Sequence, residues 1–239
     1  MAKILALDTS SDACSVAYSD GDLLIDRFEV AAKSHTQRLL PMLDEVLAEA
    51  GISLKQLDAI AFAAGPGSFT GLRIGMGMVQ GLAFGADLPV IPISTLMAMA
   101  YGRAFAATDQ PASRILCALD ARMAEVYWGL YECATPNSLP VVICPDSVSA
   151  PETVAALIPE ATEFVGVGSG WCYEALSGLT EQFQIEVYPS ARDVVALAAM
   201  EYQAGKAQAV EQVQPVYLRN EVSWKKRQRI RTTAPFEHR

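Results

Sequence analysis

Asp8-Thr9-Ser10-Ser11-Asp12 gathers two carboxylates and three hydroxyls directly after the apolar run Ile4-Leu5-Ala6-Leu7. Such a turn suits phosphate and a hydrated divalent cation, with hydroxyls and amides on the phosphate and a carboxylate orienting the metal. The same residue types also collect at strand turns because their side chains bond nearby backbone. A second candidate is Gly65-Pro66-Gly67-Ser68-Phe69-Thr70-Gly71, at the start of a helix whose free amides and dipole could hold an anion. It lacks the lysine of the G-x-x-x-x-G-K-[ST] phosphate loop, and a tight turn capped by Ser68 explains it equally well. A third is Gly166-Val167-Gly168-Ser169-Gly170, between a strand and a helix. Trp171 stands where a dinucleotide fingerprint requires its last glycine, so that reading is rejected.

Other chemistry is thinly represented. The chain has two histidines, His35 and His238, which nearly excludes a multi-histidine metal centre. His35, in the first turn of a helix, reads as a polar surface or interface residue rather than a base. The five cysteines form no C-x-x-C pair, and their odd number argues against a disulfide framework, so buried reduced thiols are expected. No serine, histidine and aspartate assemble into a nucleophilic triad. Net charge is −9, which disfavours nucleic acid over most of the surface. Lys225-Lys226-Arg227-Gln228-Arg229-Ile230-Arg231 is the exception, either a contact for RNA phosphates or a solvated tail.

The helix after Ser68 carries a different signal. Gly67, Gly71 and Gly75 recur every four residues, and so do Gly77, Gly81 and Gly85. Each set lines one face of a helix. An interior helical glycine costs about 1 kcal/mol relative to alanine, so Gly71, Gly75, Gly77 and Gly81 together forgo roughly 3–4 kcal/mol. Close backbone approach is the physical reason to accept that cost. One face could meet the protein's own sheet and the other a helix of another chain, or both could pack internally.

The elements that position these residues can be traced from the pattern. Residues 3–9, 14–19 and 23–30 read as a β-meander, the last two strands joined by an Asp-Gly hairpin turn. Ser34 with Gln37 fits a capping box opening a helix that ends at Gly51. A strand at 57–63, the glycine helix from 68 to about 85, and a strand at 89–93 capped onward by Ser94 follow. The polar segment 108–113 is the expected domain boundary. Beyond it, strands are expected at 115–120, 126–131 and 163–167, and a helix from Ser190 to about Ala204, ended by Gly205. The two halves share a β-then-α grammar, so the expected fold is α/β, a duplicated actin-like ATPase (RNase H-like) architecture. The expected division is 1–108, 109–215 and a C-terminal segment 216–239. No apolar run reaches the roughly 18 residues of a membrane span, and the first residues read as a strand rather than a signal peptide, so a soluble cytoplasmic protein is expected.

Three separated segments resemble one family. Residues 64–75 (Ala64-Gly65-Pro66-Gly67-Ser68-Phe69-Thr70-Gly71-Leu72-Arg73-Ile74-Gly75), 34–41 (from Ser34-His35-Thr36-Gln37) and 215–222 (from Pro215-Val216-Tyr217-Leu218) look like the signatures of TsaB proteins, in the right order. The resemblance covers residues 3 to about 226. It implies a non-catalytic subunit in tRNA threonylcarbamoyladenosine synthesis, pairing with the catalytic paralogue TsaD, with TsaE at their junction, and with itself when alone. It also implies indirect contact with tRNA. The implied partner interface comprises His35, Leu39, Leu43, Gly71, Leu72, Gly75, Met76, Met78 and Val79. Asp8, Thr9, Ser10, Asp12, Gly168 and Ser169 would be a vestigial nucleotide site.

The departures from the catalytic paralogue point the same way. TsaD-like chains open with E-T-S-C-D-E-T, whereas Asp8 to Cys14 lacks the second glutamate and the final threonine. Their metal-binding histidines correspond to Thr95 and Met99, and Met sulfur offers little to a hard cation. Their glycine turn corresponds to Asp120-Ala121-Arg122-Met123, whose side chains would crowd a phosphate. No catalytic residue, metal or cofactor is therefore expected. The rival readings are an ATP-dependent kinase or hydrolase of the actin-like type and a peptidase.

Overall fold

The computed structural model describes residues 2–30, 32–106, 113–160 and 162–219. In chain order it contains β1 (Ile4–Asp8), β2 (Ala13–Ser19), β3 (Leu24–Val30), α1 (His35–Ala50), β4 (Ala59–Gly65), α2 (Phe69–Ala86), β5 (Val90–Ser94) and α3 (Thr95–Phe105). Then come β6 (Arg114–Asp120), β7 (Val126–Glu132), β8 (Val141–Ser149), α4 (Pro151–Leu157), β9 (Val165–Val167), α5 (Glu174–Ser177), β10 (Phe183–Gln184) and α6 (Ala191–Gln203).

Two five-stranded sheets repeat one plan. The first has the order β3-β2-β1-β4-β5 and the second β10-β9-β6-β7-β8. In each, a three-stranded antiparallel meander is extended by two parallel strands reached through crossovers. Parallel strands are covered on both faces, which explains why β4 is an unbroken buried run, Ala-Ile-Ala-Phe-Ala-Ala-Gly. The α/β, actin-like duplication read from the sequence is the fold.

The first sheet carries helices on both faces. On one side, Leu39, Val46, Met76 and Val79 of α1 and α2 pack on Leu5, Leu7, Val16 and Ile60. On the other, Ala98 of α3 and Val194 and Leu197 of α6 pack on Ile4, Ala6, Ala61 and Ile91. The opposite side of α3 inserts Leu96 and Met99 among Ile115, Cys117, Tyr131 and Val167, so one helix is shared between the two sheets.

The return of α6 corrects the expected division at 215. The helix follows the second sheet in sequence but packs on β1 and β2, and the Ala191 amide donates to Ser15 Oγ at 2.8 Å. A bridge between Val90 and Gln208 continues that return. The boundary expected at 108/109 lies outside the described residues, as do His238 and the basic run 225–231.

Local signals account for most of the ends. Gly51 adopts the left-handed conformation that stops α1, and the Ser68, Ser94 and Ser190 hydroxyls accept from Gly71, Met97 and Arg192 amides. The capping box expected at Ser34 does not form. Ser34 receives the first helical amides of Gln37 and Arg38 on its carbonyl, and its hydroxyl makes no capping bond. Its ψ near 10° turns the side chain away from the extended geometry that a cap requires. β8, α4 and β10 carry no expectation from sequence, whereas the helix expected after the Gly166–Gly170 loop is the single turn α5.

Four cysteines, Cys14, Cys117, Cys133 and Cys144, are buried as expected, whereas Cys172 is exposed at the end of a short 3₁₀ turn. Burial pushes the Cys14 and Cys133 thiols up to about 12. Among the described residues, no helix is long and apolar enough to cross a membrane.

Candidate functional site

The turn after β1 is folded into the protein rather than presented to a ligand. Asp8, Thr9 and Ser10 are buried, and Asp12 is exposed on the rim. The Asp8 carboxylate accepts from the Ser10 amide at 2.9 Å, while its Oδ2 and the Ser10 hydroxyl find no partner among the described residues. Burial pushes Asp8 up to about 6, against the opposing pull of Ser10 and His35.

The glycine loop and the start of α2 press directly on this turn. The Ser68 amide donates to the Ser10 carbonyl at 2.7 Å, and Thr9 Oγ1 donates to the Gly71 carbonyl at 2.8 Å. A Cβ on Gly67 would collide with the Ser10 carbonyl oxygen, and one on Gly71 with the Thr9 carbonyl oxygen. On Gly75 it would lie 2.5 Å from Thr9 Oγ1. The Ser68 amide is thus engaged by the chain's own backbone and the Gly71 amide by the Ser68 hydroxyl, so neither is free for phosphate.

His35 is corrected from a surface residue to a buried one, 7% exposed. Its Nε2 lies 3.0 Å from the Ser11 carbonyl and 3.1 Å from that of Ala13, so it ties the start of α1 to the same turn.

The Gly168–Ser169 loop is filled as well. Gly168 has φ of 104°, and a Cβ there would collide with the Ala118 carbonyl and meet Met99 Cε at 2.9 Å. Ser169 Oγ accepts from the Asp120 amide at 3.0 Å. Thr95 and Met99, at the positions of the paralogue's histidines, are both buried. Among the described residues, no group of three or more histidine, cysteine, aspartate or glutamate side chains gathers to hold a metal.

A polar junction that sequence reasoning missed lies between the sheets. Asp146 of β8 accepts from Ser94 Oγ at 2.6 Å and from the Tyr131 hydroxyl. Burial raises its carboxyl, and the two donors oppose that shift. No local sequence signal links residues so far apart.

The interface expectation is corrected for eight of its nine residues. Leu39, Leu43, Leu72, Gly71, Gly75, Met76 and Val79 are all buried against the first sheet or the Thr9 turn. With His35 also buried, only Met78 of the named set remains partly accessible. The other glycine face is the open one. Among the described residues, no atom comes within 4 Å of a Cβ added at Gly77, Gly81 or Gly85. Thr70, Arg73, Gln80 and Phe84 share this outward arc, Phe84 being 76% exposed, and Leu40 of α1 is exposed on the neighbouring helix.

A family model described as TsaD, tRNA N6-adenosine threonylcarbamoyltransferase, matches residues 29–235. The tRNA threonylcarbamoyladenosine biosynthesis protein TsaB of Escherichia coli K12 is 44% identical over 94% of this chain and 97% of its own length. That of Haemophilus influenzae is 43% identical over 93% and 96%. The chain belongs to the TsaB family. The solved structure of YeaZ from Pseudomonas aeruginosa superposes with a TM-score of 0.84 at 42% identity, covering 91% of this chain and all of that one. A second Pseudomonas aeruginosa structure, described as similar to peptidase YEAZ, gives 0.82 at 41% identity, covering 92% and 100%.

Proposed function

We propose that this chain is a non-catalytic docking and activating subunit of tRNA threonylcarbamoyladenosine synthesis, pairing with a TsaD-type transferase through the outward face of α2 and the adjoining face of α1. The observation that carries this reading is the row Gly77, Gly81 and Gly85, which no part of the described chain approaches. Interior helical glycine is unfavourable by about 1 kcal/mol. A monomer gains nothing in return on that face. Glycine at i and i+4 does allow a second helix to come close, with Phe84, Arg73 and Met78 as larger contacts around the furrow. The same surface serves a homodimer when the transferase is absent.

The filled cleft supports the non-catalytic role. With Ser68, Gly71 and Ser169 bonded internally, the phosphate-binding elements of the ancestral plan hold the fold together instead. TsaE at the junction of the two subunits, indirect tRNA contact and a cytoplasmic setting belong to the same proposal.

Gly77→Leu and Gly81→Leu provide the test, since the monomer has room for both side chains. Each variant should keep the wild-type circular dichroism, fail to co-elute with the TsaD-type partner, and lose stimulation of tRNA modification in the reconstituted system. Unchanged co-elution would remove the assignment of this face. Modification or ATP turnover by the isolated chain would remove the non-catalytic role.

A further inference from the structure

The last described residues, Val213 to Arg219, leave the first sheet and end on the second. The Val216 amide donates to the Ala64 carbonyl of β4 at 2.7 Å. Tyr217 then packs against Phe69 with the rings tilted by 49° and centroids 5.6 Å apart, and Arg73 donates to the Tyr217 hydroxyl at 3.3 Å while its guanidinium lies 3.6 Å over the Phe69 ring. Two residues later the chain reaches the turn between β6 and β7. There Arg219 forms an ion pair with Glu125, donates to the Arg122 carbonyl at 3.3 Å, and contacts Met123 sulfur at 3.4 Å.

That turn is unusual. Arg122, Met123 and Ala124 have φ of 64°, 58° and 57°, three consecutive non-glycine residues in the left-handed region. L-residues disfavour this conformation, and a run of three persists only where surroundings impose it. From within, the Ala121 amide donates to the Glu125 carbonyl at 2.9 Å, and the Arg122 amide and guanidinium both donate to Asp120 at 3.0 Å. From without, the described residues supply Arg219. Asp120 in turn receives the Tyr173 hydroxyl at 3.1 Å and bonds Ser169 through its amide, so the turn is continuous with the Gly168–Ser169 loop lining the cleft.

We infer that the strap Val213–Arg219 is a latch: it is anchored on β4 and α2, and its Arg219 grips the β6–β7 turn, tying the two sheets together and keeping the turn in its left-handed form. Release of Arg219 lets the turn relax and frees Asp120 and the Ser169 loop, giving the otherwise packed loop an open state. The strap suits this use because, between Val213 and Arg219, it contains no helix or strand. Among the described residues, its hold on the second sheet passes through the Arg219 guanidinium.

Hydrogen–deuterium exchange on the full chain tests the latch, using Arg219→Ala, Glu125→Ala and the charge swap Arg219→Glu with Glu125→Arg. Each single variant should speed exchange in the peptide spanning residues 121–126 by about ten-fold while β1 and β4 keep wild-type protection, the pattern of local rather than global opening. The swap should restore at least part of the protection. Wild-type exchange across 121–126 in both single variants overturns the latch. So does acceleration spread equally over β1 and β4, which would make Arg219 an ordinary stabilising contact. If both single variants fail to fold, a folded swap with a protected turn upholds the latch, and a swap that is also unfolded overturns it.

Discussion

The two faces of α2 carry the same residue at the same spacing and do opposite things. On the inner face, Gly71 and Gly75 admit the Thr9 turn so closely that no Cβ fits. On the outer face, Gly77, Gly81 and Gly85 admit nothing from the described chain. The inner pair has its helix-propensity cost offset within the monomer, by hydrogen bonds such as Thr9 to Gly71 and by close packing. Among the described residues the outer set has no such return, which is why the proposal assigns that face to a partner chain. A glycine repeat alone therefore does not identify a docking face; what lies opposite each position does.

The largest expected effect breaks the inner face. Gly71→Ala drives a methyl into the Thr9 carbonyl and should destabilise by about 3 kcal/mol or more, read from the urea midpoint, because backbone on both sides prevents relief. A variant as stable as wild type would mean the turn can move away, and the contrast between the faces would collapse.

Asp8, beneath that face, gives a pH-dependent test. Its folded pKa of about 6 exceeds the ordinary 3.8, so folding takes up a proton between those values. Its contribution favours the fold below about pH 4 and is lost as pH rises through about 6. Asp8→Asn should therefore be stabilised relative to wild type at pH 8 by about 2–3 kcal/mol, with the difference shrinking towards pH 4. Parallel denaturation curves at both pH values, with no change in the difference, would sink the assignment.

His35→Ala removes a side chain that serves two carbonyls of the same turn and should cost about 1–3 kcal/mol, measured by thermal unfolding. The smallest effect has the opposite sign. Gly77→Ala meets open space and should stabilise the monomer by up to about 1 kcal/mol while weakening pairing in size-exclusion chromatography. Destabilisation there would show that the outer face does have an internal partner.

The sequence made the first meander, the crossover strands β4, β5 and β9 and most helix ends legible, because they depend on neighbours: Asp20-Gly21 for the hairpin, Gly51 for the end of α1, Ser68 and Ser94 as caps. It also revealed that α2 has two glycine faces, since helical periodicity is a local property. It did not reveal which face is inward, and the expected interface fell largely on buried residues. That choice depends on Thr9, more than sixty residues upstream. The return of α6, the Ser94–Tyr131–Asp146 junction and the grip of Arg219 are long-range for the same reason. The left-handed run Arg122-Met123-Ala124 had no signal at all, because none of these residue types favours positive φ.

The burial of four of the five cysteine thiols has a practical consequence. Thiol reagents act on the thiolate, and Cys14, Cys117, Cys133 and Cys144 are enclosed in apolar surroundings that keep them protonated. Cys172, at the foot of the Ser169 loop, is open to solvent. A maleimide dye added to the native polypeptide should therefore mark that single spot, providing a fluorescent reporter beside the cleft without any engineered substitution.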